Sequence, residues 1–163
     1  KKVLEDGYVT FNEVTKRKNF IDFHEEFKRV ERKVHVMDWK AYREHKQNQT
    51  IEFKTDYEAT VKKYFKWKGM IERRSYNFPV QGSGADMTKY ASLMIFNYIM
   101  KKGYFNIVKI VNVVHDEILV ESPEHLTEEM SVVVKDCMVK AGAKFFQRVP
   151  LDASCDVGKY WIH

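Results

Sequence analysis

With 163 residues, of which 44% are hydrophobic and 14% aromatic, the chain can bury one real core, and its length alone favours a single domain. Three prolines, seven glycines and no repeat or low-complexity tract exclude a disordered or linker-like chain, and no apolar run is long enough to span a bilayer as a helix. The formal net charge of +5 is N-terminal in origin: up to Arg74 there are 19 Lys+Arg against 13 Asp+Glu, and from Ser75 onward 9 against 10.

Taken in chain order, Gly7 to Phe11 and the stretch around Asn19, Phe20 and Ile21 read as short strands of a hairpin, joined through the polar Asn12 to Lys18. From Phe23 to about His45 the spacing of Phe23, Phe27, Val30, Val34 and Trp39 predicts one helix or two, and Gln47 to Thr50 reads as a loop. Thr55 with Glu58 has the form of a capping box, opening a helix whose Tyr57, Val61, Tyr64, Phe65 and Ile71 make a core-facing stripe. Pro79 is expected to interrupt that helix, because it lacks an amide donor and disfavours the α conformation at Phe78. Gly82-Ser83-Gly84 then offers a permissive start for a new helix, Asp86 suits its first turn, and Met87, Tyr90, Ala91, Met94 and Tyr98 form an apolar face ending near Gly103. Ile107 to Val114 reads as a buried strand and Ile118 to Glu121 as its antiparallel return. Ser122-Pro123 is a good N-cap and first-position pair for a last helix carrying Leu126, Met130, Val133, Cys137 and Ala141 on one side. Leu151 to Val157 reads as a closing strand able to join the hairpin's sheet.

Two features carry chemistry. His115-Asp116-Glu117 puts three ionisable side chains inside an apolar run, at a turn where Asn-Gly or a leading Gly would be normal. With both arms so apolar, the hairpin is expected to be buried and its carboxylates partly desolvated unless a cation compensates them; a plain solvated turn is the structural alternative. Asp116 is then the first choice as a ligand for Mg²⁺, a hard cation that takes one or two carboxylates plus substrate phosphates, and Glu117 is an auxiliary acid. The second feature is the recurrence of Lys16-Arg17-Lys18, Lys28-Arg29, Arg32-Lys33, Lys62-Lys63 and Arg73-Arg74 among Phe20, Phe23, Phe27, Tyr64 and Trp67. This pattern suits a nucleic-acid surface, and it equally suits amphipathic helices with a solvated face. Cys137 and Cys155 lie far apart without metal-ligand spacing, which points to a reduced, cytoplasmic setting. Lys1 to Asp6 has neither a signal-peptide core nor an initiating Met, so an excised piece is expected.

The block Glu72-Arg73-Arg74-Ser75-Tyr76-Asn77-Phe78-Pro79-Val80-Gln81-Gly82-Ser83-Gly84-Ala85-Asp86, followed by Lys89 and by Val114-His115-Asp116-Glu117, resembles the C-terminal part of a family A DNA polymerase of the bacterial DNA polymerase I type. Gly7-Tyr8-Val9 and the closing Pro150 to Trp161 share the resemblance, which is close over residues 70 to 163 and weak before them. It implies an α+β fold, with helices on a small antiparallel sheet around a central hairpin: a partial palm with adjoining fingers helices, as one fragment with a hairpin and basic helical insertion at 1–70 and the core at 71–163. It implies that Asp116 is the motif C aspartate, one of two that bind catalytic Mg²⁺, with Glu117 the neighbouring acid of lesser importance. His115 resembles the residue that meets the primer end, and Arg73, Asn77 and Gln81 resemble positions contacting the template-primer duplex, Gln81 in the minor groove. An amide and a guanidinium can check duplex geometry there without reading sequence. Without the resemblance, Asn77 and Gln81 would be read as bridging the backbone break at Pro79 and Arg73 as pairing with an acid. Lys89 is read as a solvated or structural lysine.

The expected partners are primer-template DNA and deoxynucleoside triphosphates, with no membrane. The second metal-binding aspartate and the nucleotide-gripping fingers helix of such enzymes find no counterpart in residues 1–70, so the chain alone is expected to be inactive. The long, charged span from Asp22 to Lys68 suggests a divergent, phage-like member. A non-catalytic DNA-binding module that kept the fold is the alternative of a different class. A His-Asp metal phosphohydrolase is weaker, because His24, His35 and His45 show no matching ligand pattern.

Overall fold

The computed structural model describes residues 2–37, 39–48 and 54–161. Among them are five α-helices, α1 (Lys2–Asp6), α2 (His24–His35), α3 (Trp39–Asn48), α4 (Lys54–Lys102) and α5 (Thr127–Phe145). Four strands, β1 (Tyr8–Thr10), β2 (Lys18–Phe20), β3 (Lys109–Val114) and β4 (Glu117–Glu121), form two separate antiparallel hairpins. The class is α+β, as expected. The chain divides into two compact units, one made of Lys1–Phe11 and Lys16–Pro79, the other of Asn12–Thr15 and Val80–His163.

In the first unit β1 pairs with β2 through Tyr8 and Phe20, Val9 and Asn19, Thr10 and Lys18. The alternation of a strand sends Val9 inward, where it joins Val3, Ile21, Phe27 and Ile71 in one cluster. Gly7 is needed there twice over. Its φ of +75° suits glycine, and a Cβ would lie 2.6 Å from the His24 ring, whose Nε2 donates to the Leu4 carbonyl at 3.0 Å. Helix α2 opens with Glu25 and Glu26 and closes with Arg32, Lys33 and His35, the charge order that the helix dipole favours. It packs on α4 by stacking Phe27 on Tyr64 at 5.7 Å and setting Phe23 against Trp67 at 5.6 Å. The expected loop at Gln47 to Thr50 is corrected in part, since α3 continues through Gln47 to Asn48; Gln49 and Thr50 lie outside the described residues, as does the Thr55 side chain of the predicted capping box.

In the second unit Ile95, Ile99, Val108, Leu126, Met130 and Cys137 form the core, with Ile110, Ile118 and Val120 of the second hairpin packed on it. The predicted end of α4 near Gly103 is observed. Gly103 has φ +74°, its N–H donates to the Met100 carbonyl and the Tyr104 N–H to that of Ile99, which is the hydrogen-bond pair of a Schellman cap.

Four expectations need correction. Pro79 does not interrupt the helix, because α4 runs unbroken from Lys54 to Lys102. A proline inside a helix costs about 3 kcal/mol. Apolar burial on either side offsets it, with Ile71 fully enclosed before the proline and Ala91, Ile95 and Ile99 enclosed after it. Consequently Gly82-Ser83-Gly84 is helix interior, not a helix start, and Asp86 serves no first turn. Its carboxylate instead accepts from Asn12 Nδ2 at 3.0 Å and Thr15 Oγ1 at 2.7 Å, tying the loop at 12–15 into the second unit. Ser122 does not cap α5, since a 3₁₀ turn at Glu124–Leu126 intervenes. Finally, Leu151 to Val157 forms no strand; the segment is held by the Leu151 side chain, seated against the bare Cα of Gly142, where a Cβ would come within 3.0 Å of it, and by the Lys135–Asp152 ion pair at 3.6 Å.

Candidate nucleic-acid interface and hairpin carboxylate

In the second unit, pairing of Val114 with Glu117 leaves His115 and Asp116 as a two-residue turn. His115 takes φ +52°, the conformation that such turns normally assign to Gly or Asn. Lys16, in the first hairpin, takes the same φ of +52°. A bulge between Ile110 and Asn112 leaves Val111 unpaired just before the tip, a device that re-aims side chains near sites.

His115, Asp116 and Glu117 are all exposed. This corrects the expectation of a buried hairpin with desolvated carboxylates. A two-stranded sheet covers only one of its faces here, and Val111 and Val113 on β3 are 59% and 43% exposed. The Asp116 side chain has no hydrogen bond or ion pair to any described residue, whereas Glu117 is engaged. Asp116 is thus a hard oxygen donor exposed at the tip of a two-residue turn. Among the described residues, no group of three or more His, Cys, Asp or Glu could hold a metal ion.

In the first unit Arg73 and Asn77 stand one turn apart on α4, both exposed. The contrast with Arg74 is instructive. Arg74 pairs with Asp22 at 3.0 Å and lies over the rings of Phe23 and Phe78, and its guanidinium holds the Asp22 carboxyl below the usual carboxylate range. Arg73 makes no such pair among the described residues; its Nη1 lies over Gly69, 3.4 Å from where a Cβ would be. Asn77, and Gln81 in the second unit, are exposed and keep their amides free of any described partner. Neither amide bridges the helical hydrogen bond that Pro79 leaves unmade at the Ser75 carbonyl. Lys89 is exposed. Sequence reasoning gave Asp86 a helix-start role and missed its tie to Asn12 and Thr15, whose signal was an acid set among the apolar-face residues Met87, Tyr90 and Ala91.

The first unit thus presents exposed amide and guanidinium groups on α4, and the second an exposed carboxylate at a hairpin tip, each without a partner among the described residues. The chain matches the profile of DNA polymerase family A over residues 10–163, and it belongs to that family. It is similar to DNA polymerase I of Aquifex aeolicus, with 36% identity over 85 residues that cover 52% of this chain and 14% of that protein. Against the thermostable DNA polymerase I of Thermus thermophilus it is 34% identical over 91 residues, 56% of this chain and 10% of that one. Against DNA polymerase I of Streptococcus pneumoniae it is 36% identical over 97 residues, 60% and 10%. The matched stretches therefore span only 10–14% of these relatives' length. Among the described residues no helix is long and apolar enough to cross a membrane.

Proposed function

We propose that this chain forms part of a template-directed DNA polymerase, contributing Asp116 as one carboxylate of a Mg²⁺ site that residues of a longer parent chain complete. The reaction proposed for the parent is attack of a primer 3′-hydroxyl on the α-phosphate of a deoxynucleoside triphosphate, with pyrophosphate leaving. This chain's share is to present Asp116 at the palm hairpin, to meet the primer end with His115, and to hold the template-primer duplex with Arg73, Asn77 and Gln81. Glu117 is the subordinate acid. Alone the chain is inactive, because a single free carboxylate cannot fix two ions in the geometry that in-line transfer requires.

The observation that carries this reading is the exposed, unpartnered Asp116 on a turn that His115 holds at positive φ. Primer extension by the parent enzyme is the test. Asp116→Ala should lower Mg²⁺-dependent extension by more than the roughly 100-fold that losing an outer partner of a metal ligand costs. Because Asp116 is exposed and unpaired, the same change should shift stability by less than about 0.5 kcal/mol. Extension that survives in the folded variant would remove the role from Asp116, and duplex binding by a parent that extends nothing would point to a non-catalytic module.

A further inference from the structure

We propose that the exposed face of α4 ahead of Arg73, carried by Lys62 and Lys66, binds the phosphate backbone of duplex DNA and lengthens the contact made by Arg73 and Asn77; this rests on the duplex reading of those two residues. At about 100° per residue, Lys62, Lys66, Arg73 and Asn77 fall within an arc of about 60° on the helix. Gly69 sits in the gap of the row. The opposite side of the same helix carries Val61, Tyr64, Trp67, Ile71 and Phe78, all packed into the first unit's core clusters. The row thus points directly away from the core, and Lys62, Lys66, Arg73 and Asn77 are all exposed.

An ordinary solvated face is the competing account, and the composition of this row argues against it. Elsewhere on the molecule some helical lysines are neutralised within a turn, as Lys28 is by Glu31 and Lys140 by Asp136, while others such as Lys89 and Lys101 are exposed with no ion pair among the described residues. Lys62 and Lys66 have no ion pair among the described residues. They are like charges at i and i+4, which repel one another and weaken the helix. Gly69 weakens it again, since glycine is the poorest helix former after proline. The two acids of this stretch, Glu58 and Glu72, fall on the flank of the row, beside the exposed rings of Phe65 and Tyr76. A face that only had to meet water would need neither the repulsion nor the glycine. Both make sense where a polyanion supplies the missing counter-charge and lies close to the helix backbone at Gly69, over which the Arg73 guanidinium already extends.

The dimensions fit. Lys62 and Lys66 are about 6 Å apart along the axis and Lys62 is about 22 Å from Asn77. One strand of a duplex carries a phosphate every 3.4 Å or so of its axis, so the row spans about six base pairs and the lysine pair about two phosphates. Helix α2 is a poorer candidate, because Arg29, Arg32 and Lys33 share that helix with Glu25 and Glu26.

The test is equilibrium binding of the whole 163-residue chain to a fluorescent 20-base-pair duplex, measured by anisotropy across about 25 to 200 mM NaCl. Each neutralised phosphate contributes about 0.9 to the slope of log affinity against log salt. Lys62→Ala with Lys66→Ala should therefore reduce the slope by about two and weaken binding on the order of 10- to 100-fold near 0.1 M salt. Lys62→Arg with Lys66→Arg should restore it, and the charge-matched control Lys135→Ala with Lys140→Ala should leave the slope unchanged. If the Lys62/Lys66 variant keeps the wild-type slope while Arg73→Ala still weakens binding, the row is a solvated face and this inference alone fails. A loss equalled by the Lys135/Lys140 control would mean that net charge, not this row, binds DNA, and would overturn it too. No duplex binding by wild type, or binding insensitive to Arg73→Ala, would remove the duplex reading itself.

Discussion

At the scale of single residues, the hairpin tip shows how a local preference is overruled. His115 occupies φ +52°, where a side chain bearing a Cβ crowds the following carbonyl at a cost of about 1–2 kcal/mol. Histidine tolerates this conformation better than a β-branched residue does. His115→Val should therefore destabilise the chain by about 1–2 kcal/mol in a urea titration, and His115→Gly should not; equal stabilities would show that the turn relaxes freely. The irregularity itself was legible, since a His-Asp pair where Asn-Gly is usual already marks a strained turn. Exposure was not. Whether the carboxylate is desolvated depends on what covers the sheet, and nothing in the apolar run Ile107 to Val114 tells a strand covered on two faces from one covered on one. Likewise Arg73 and Arg74 are indistinguishable as neighbours in sequence. The fold assigns Arg74 to Asp22 and two rings and leaves Arg73 for solvent or ligand.

At the scale of elements, the clasp between α4 and α5 makes a pH prediction. Glu129 of α5 accepts from Tyr98 at 2.6 Å and Tyr104 at 3.4 Å and pairs with Lys102 at 3.3 Å, and these partners, Tyr98 first, hold its carboxyl below the ordinary glutamate range. A carboxyl with a lowered folded-state pKa adds stability that is present above its unfolded value of about 4.3 and is lost as pH falls through the folded one. Glu129→Gln should thus lower the urea midpoint at pH 7, and the gap from wild type should close below about pH 4. A gap independent of pH would show that the carboxylate's charge contributes nothing. The cause lies between elements, so no sequence pattern announced it. Continuity of α4 through Pro79 is of the same kind. The rules for proline are local and amount to a few kcal/mol, and the burial of Ile71, Ala91, Ile95 and Ile99 on either side of it is a sum over neighbours remote in sequence.

At the scale of the whole molecule, each unit has its own core, and the second also carries exposed apolar residues on β3. The two populations should respond differently to substitution. Ile95→Ala, at a fully buried position of the main cluster, should cost about 2–5 kcal/mol, while Val111→Thr, more than half exposed, should shift stability by no more than about 0.5 kcal/mol. Thermal or chemical denaturation of both variants checks this, and a comparable loss at Val111 would mean that its face is covered. By itself the sequence determined the α+β class, the two hairpins and the residues by which the chain resembles its family, because turn chemistry and motif spacing are properties of neighbours along the chain; the stripe on α4 held at Val61, Tyr64 and Ile71, but Phe65 is 56% exposed and the Tyr57 side chain lies outside the described residues. Only the tertiary structure decided that one helix passes unbroken through a proline, that Asp86 anchors a loop, that the closing segment forms no strand, and that Asp116 and Arg73 have no partner among the described residues while Arg74 does. Those outcomes depend on which surfaces exclude water and which partners meet across the fold, and burial of that kind is summed in three dimensions.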